Sequence, residues 1–446
     1  MLAERAIYFF VVLVLTLVGL VWGLIDTRRV IETPFLYSTG MALIVCPQMY
    51  IAASDATRIP YQAFWTFTVM VILCTVALWL GYFRQPSPTE RSHFKTRLVI
   101  PQRLYRFGLL TAFVGAFGIY KLTALGTITV WRGWPVYWLN IAVLTIPGIT
   151  MMLVAYVNSP SIARLVPIIA FWLSQLPTIF DSGRRAATLT LPLVLALPFL
   201  IYKKNLRVPR WAVLVCLFLA YFVVYAFPVW RGSFKEHHYL QTMQDNPPSE
   251  IFNNLFDGNS SNSLEITDGM IVTGARYQLG NYEFGASLYN QLVQNYFPGS
   301  LLGQDLKSSL FISHGISQNW VKEVYGIPVA FYTAKSGYED LFSQFSFFGC
   351  IAMYAIGRGF RKAHDAAVFR RDGRAVLFLC FFISFPAGLA YGTVLGAVAL
   401  AVPQICLMLI ANRWCTRPAM ARNQFQRHAP ILASIRLIPA LSRQNR

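Results

Sequence analysis

Apolar runs of membrane-crossing length alternate with short polar connectors along nearly the whole chain. About 20 apolar residues are needed to carry a helix across hydrocarbon, and by that measure the pattern predicts about eleven spans. They are Tyr8–Ile25, Ser38–Ile51, Tyr61–Tyr82, Phe107–Leu122, Tyr137–Val157, Ile162–Leu176, Ala186–Ile201, Trp211–Trp230, Phe342–Gly357, Ala375–Tyr391 and Thr393–Ala411. One polar interruption is long, at about 110 residues. The expected fold is therefore an all-α polytopic membrane protein, with about eleven transmembrane helices and one large loop between spans 8 and 9. Residues 1–230 carry the first eight helices, 231–341 the loop, 342–412 the last three helices and 413–446 a basic tail.

Within the loop, apolar residues from Ile271 onward (Tyr277, Leu279, Tyr282, Phe284, Leu288, Leu292, Tyr296) recur at helical spacing and stop at Phe297-Pro298-Gly299. This predicts an amphipathic helix, opened by Arg276, that lies on the outer membrane face or packs on the bundle.

Charge orients the pattern. Lysine and arginine gather at Arg28-Arg29, Arg84 to Arg106, Lys203 to Arg210, Arg358 to Arg374 and Arg413 to Arg446, all on one face if the spans alternate. That face is the cytoplasm by the positive-inside rule, which puts the amino terminus outside, with Arg5 as an objection, and the carboxyl terminus inside. The opening run is expected to stay as a span, because no small-residue cleavage site follows it. A hydrophobic share of 56%, only 13% charged residues and a mean hydropathy of +0.48 exclude an ordinary water-soluble globule. The +19 charge needs no nucleic acid, since basic edges against anionic lipid account for it. Six of the seven cysteines fall in predicted spans, Cys415 lies just inside, and the long loop has none, so neither a disulfide framework nor a metal site is expected.

Candidate chemistry is concentrated in arginines on the outward side. Asp181-Ser182-Gly183-Arg184-Arg185 stands between two apolar runs. Asp181 and Ser182 suit an N-cap, so free backbone N–H groups and two guanidinium forks converge on a site for an anion such as phosphate. The bland alternative pairs one arginine with Asp181 and leaves the other on lipid phosphates. Arg132, between Trp131 and Trp134, is either a lipid head-group anchor or part of an anion pocket. Asp55 beside Arg58 is a surface ion pair rather than one half of a catalytic acidic pair.

An outward arginine heads a membrane helix, and one long outer loop comes late in the chain. In that loop Arg276 leads an aromatic-rich helix ending at Pro298, and Gly337-Tyr338-Glu339-Asp340-Leu341-Phe342 leads into Phe347-Phe348-Gly349. Over roughly residues 180–360 this order resembles the Wzy-type O-antigen and exopolysaccharide polymerases. A basic residue often follows the Pro in that family; here it is missing, and Lys307 is the nearest substitute. The related O-antigen ligases share the layout and rely on a loop histidine, for which His314 is the nearest candidate.

The resemblance implies an enzyme of the bacterial inner membrane. It would join undecaprenyl-pyrophosphate-linked oligosaccharide repeats at the periplasmic face, without cofactor or metal, among membrane lipids and with a chain-length regulator as a partner. Fixed guanidinium groups would stabilise the departing pyrophosphate, a role assigned to Arg184, Arg185 and Arg276 with Arg132 as a fourth. An acceptor hydroxyl needs a base. Glu339 is the first candidate, because the loop re-enters the apolar bundle there and desolvation favours a carboxyl's neutral form; Asp340 and His314 follow. The competing reading of Glu339-Asp340 is a solvated helix N-terminus. An O-antigen ligase-like transferase, a polysaccharide transporter and a non-catalytic export scaffold are the alternatives.

Overall fold

The computed structural model describes residues 2–54, 57, 59–84, 97–125, 134–175, 194–196, 198–202, 208–235, 265–297, 299–312, 320–326, 336–382, 385–392 and 394–418. The described chain is almost entirely helical. In order it forms α1 (Leu2–Ile25), α2 (Thr33–Ser54), α3 (Tyr61–Phe83), α4 (Pro101–Ala124), α5 (Trp134–Asn158), α6 (Ile162–Leu173) and α7 (Arg210–Lys235). Then follow α8 (Glu265–Leu279), α9 (Ala286–Tyr296), α10 (Gly337–Phe345), α11 (Cys350–Val368), α12 (Gly373–Phe382), α13 (Phe385–Tyr391) and α14 (Val394–Cys415). The all-α expectation needs one amendment, a short antiparallel pair of β1 (Arg97–Val99) and β2 (Thr416–Pro418).

Helices α1 to α5 are each long and apolar enough to cross a membrane. Helices α2, α4 and α5 extend their predicted spans at both ends, with Pro34 and Pro101 presetting the first turns of α2 and α4, while α1 starts earlier and α3 matches its span to within a residue. The run predicted as a ninth span, Phe342–Gly357, is not one helix. The chain reverses at Ser346, whose φ is +53°, so α10 and α11 are two arms of a hairpin. Sequence pattern missed this because the polar residues near the turn, Ser343, Gln344 and Ser346, are uncharged and sit among phenylalanines.

Side-chain contacts fix the ends of the bundle. Arg210 donates to the Ile25 carbonyl (3.1 Å), Arg84 to the Tyr354 hydroxyl (2.6 Å) and Arg103 to the Trp414 carbonyl (3.4 Å). Arg361 stands 3.9 Å from Glu32, and β1 pairs with β2. The basic connectors therefore meet at one end, called here the basic end. At the other, the Tyr61 end, Arg5 is buried and donates to the carbonyls of Ala52 (3.1 Å) and Ile59 (2.7 Å), over the Phe64 ring. Its charge is thus committed to carbonyls at the end of α2 and in the connector that follows it.

Helix α11 packs along α3 at backbone distance. A Cβ on Gly81 would lie 2.1 Å from the Tyr354 carbonyl oxygen, and one on Gly357 would lie 2.2 Å from that of Leu78. One apolar core gathers α2, α3, α8 and α10, while a second gathers α4, α5, α12 and α14.

Candidate functional site

One helix begins inside the bundle rather than at its surface. Tyr338, in the first turn of α10, has its hydroxyl 2.6 Å from that of Tyr37, which is 3.1 Å from Thr75 Oγ1. Thr75 gives its own proton to the Val71 carbonyl, so Tyr37 donates to Thr75, and the single Tyr338 proton is shared between the Tyr37 oxygen and Met41 Sδ (2.7 Å). Thr75 is deep within α3, and α10 is thereby anchored at mid-bundle. Beside Tyr338, α2 carries a π-helical turn at Met41–Val45, a departure from α geometry of the kind often found at functional sites. The head of α8 is held in the same way, with the Ile266 N–H donating to Gln48 Oε1 (2.9 Å).

Glu339 and Asp340 occupy the first turn of α10. Ser336 caps it, accepting from the Glu339 N–H (3.2 Å), while the Asp340 N–H reaches the Ser336 carbonyl (3.0 Å). Both acids are buried, at 4% and 2% exposure. The solvated N-terminus that competed with the catalytic reading is therefore not what the chain builds. A Cβ on Gly269 would stand 3.1 Å from Glu339 Oε2 and 3.4 Å from Ser336 Oγ, so α8 approaches the carboxylate closely at this glycine. Asp268, also buried, is the neighbouring residue on α8.

Arg276 does not open a helix, as the apolar spacing predicts, but lies in the last turn of α8. Gly280 at φ +61° and Gly285 at φ +91° break the predicted helix into α8 and α9. Only the start of the predicted segment packs on the bundle, with Ile271 and Ala275 buried, whereas Tyr277, Leu279 and Phe284 are exposed. The turn between the glycines docks on the end of α10, with the Glu283 N–H donating to the Ser343 carbonyl (2.9 Å) and the Phe284 N–H to the Gln344 carbonyl (3.0 Å). Glu283 forms a buried ion pair with Arg276 and accepts from Ser287 Oγ and from Gln344 Nε2 (2.5 Å). Arg276 also donates to the Asn281 carbonyl (3.3 Å). Its guanidinium thus clasps α8 to α10.

Arg132, Arg184, Arg185 and His314, with Asp55 and Arg58, lie outside the described residues. Lys307 donates to the Gln294 carbonyl (2.9 Å) and so ties down the end of α9. Among the described residues no group of three His, Cys, Asp or Glu is placed to hold a metal ion. Sequence reasoning missed Glu283, Ser336 and Tyr338. The pair of glycines flanking Glu283 was the available signal for a tight turn there.

In chemical terms the arrangement places two adjacent carboxyls at the positive end of a helix inside an apolar bundle, next to a glycine-lined approach and a buried arginine clasp. Such a carboxyl can accept a proton from a bound hydroxyl or carry one between sides of the bundle. The chain matches no known family model, no curated protein and no solved structure.

Proposed function

We propose that the chain is a membrane glycosyltransferase, a polymerase that joins polyprenyl-pyrophosphate-linked oligosaccharide repeats at the periplasmic face of the bacterial inner membrane. The observation that carries this reading is the burial of Glu339 and Asp340 at the head of α10, in the half of the bundle away from the basic end. If the basic end is cytoplasmic, these carboxyls belong to the outward half, where lipid-linked repeats are presented. Glu339 takes the acceptor hydroxyl's proton. Arg184 and Arg185 are the leading counter-charge for pyrophosphate, and Arg276 joins them only if Glu283 yields it.

One observation favours a second reading, translocation of the same substrate. Helix α10 begins at mid-bundle beside buried charges, a layout shared with discontinuous-helix transporters.

The test is a deletion strain complemented with wild type, Glu339→Gln or Arg185→Ala at equal membrane abundance. A polymerase requires single carrier-linked repeats to accumulate on the outer leaflet, reachable by an impermeant lectin in spheroplasts, with neither variant restoring long chains. Repeats confined to the inner leaflet would instead mean a transporter. Long carrier-linked chains that never reach their final acceptor would mean a ligase.

A further inference from the structure

Helices α8 and α10 run side by side in the same direction, toward the Tyr61 end, and are tied at both ends. Gly269 meets Glu339 at the inner end, and the Arg276–Glu283–Gln344 clasp closes the outer end. One helical turn beyond Gly269 stands Thr273, and one turn beyond Glu339 stands Ser343. A four-residue step turns a helix face by only about 40°, so both hydroxyls face the same seam. Thr273 is 0% and Ser343 1% exposed, and neither hydroxyl meets a hydrogen-bond partner. Buried hydroxyls in native proteins are satisfied by protein or by ordered water, and two on one seam supply the polar partners one water requires.

We propose that the Thr273–Ser343 rung is a water site and that this water is the exit for the proton taken up at Glu339; the proposal rests on the reading of Glu339 as the base. As the acceptor oxygen bonds to the anomeric carbon, the bond from that carbon to pyrophosphate breaks and its electron pair leaves on the phosphate oxygen. The acceptor O–H proton moves to Glu339. Glu339 then gives a proton to the water, which releases one of its own past Glu283 to solvent at the Tyr61 end. No net charge stays in the seam. Glu283, paired with Arg276, is the last polar side chain on this path before the Tyr61 end.

The experiment uses the full chain in nanodiscs, with Thr273→Val, Ser343→Ala, the double variant and Thr273→Ser. If the hydroxyls share a water, the unfolding cycle is non-additive: the second substitution changes the midpoint little once the first is made. With a polyprenyl-pyrophosphate-linked oligosaccharide as probe, Thr273→Val and Ser343→Ala should lower kcat about tenfold with KM unchanged and a larger solvent deuterium isotope effect. Thr273→Ser should behave as wild type. Additive unfolding effects overturn the water site, and an unchanged kcat and isotope effect, with Glu339→Gln inactive, overturn the relay. A fully active Glu339→Gln overturns the functional reading beneath the relay. The two failures are distinguishable because the unfolding cycle needs no activity.

Discussion

Arg276 and Glu283 sit on either side of a glycine-bounded turn, and the energetics of their pairing decide what each does. A buried ion pair adds little net stability over an apolar pair, but removing one partner strands the other charge at a cost of about 3–5 kcal/mol. Arg276→Ala should therefore unfold with a loss in that range, whereas Arg276→Met combined with Glu283→Leu should stay near wild type. Denaturant unfolding in detergent checks this, and a single variant losing less than about 1 kcal/mol would contradict the clasp. At the basic end, Asp365 lies on α11 beyond Gly357. Burial alone would raise its carboxyl, but His364 and the Arg361 guanidinium (Nε–H donating at 3.0 Å) outweigh it and hold the group below the usual carboxylate range. A depressed folded-state value means the contribution is full above the unfolded carboxylate's pKa of about 4 and fades as pH falls through the folded value. Asp365→Asn should flatten the acid limb of Tm against pH, and parallel limbs in the two proteins would refute the pairing. The identity of Glu339 as a candidate was legible from its place after the long loop. The role of Arg276 was only half legible, because nothing in residue spacing says that Glu283 will fold back onto it.

Among the elements, α10 shows how a short helix becomes a site. Its residues Gly337–Phe345 are too few to cross a membrane, so it depends on anchorage by Tyr338 and on close approach at Gly337. A Cβ on Gly337 would lie 2.3 Å from the Leu389 carbonyl oxygen of α13, while one on Gly359 of α11 meets nothing within 4 Å. Gly337→Ala should cost about 1–3 kcal/mol through overpacking. Gly359→Ala should be neutral or stabilise by up to about 1 kcal/mol, because the unfolded chain loses freedom. Equal midpoints for the two variants would place α10 elsewhere. The spans α1 to α5 were readable because an apolar run of that length has few alternatives. The hairpin of α10 and α11 was not, since its reversal at Ser346 is marked only by short uncharged polar residues among phenylalanines, and α8 was assigned to the loop although much of it is core.

For the whole molecule, the pattern of charge and the geometry agree on one point. The basic connectors converge on one end, and Arg5 closes the other as a cap on carbonyls. Between them the bundle holds buried acids on a helix that starts halfway through it, the feature on which a catalytic or transport role depends. The central claim is that Glu339 is the proton acceptor in glycan transfer. Purified protein in nanodiscs, given a polyprenyl-pyrophosphate-linked oligosaccharide, tests it most directly by following chain growth and polyprenyl pyrophosphate release together. The account expects wild type to yield both products, and Glu339→Gln to yield neither while unfolding at the wild-type temperature. Chain growth by a folded Glu339→Gln protein at the wild-type rate would contradict it.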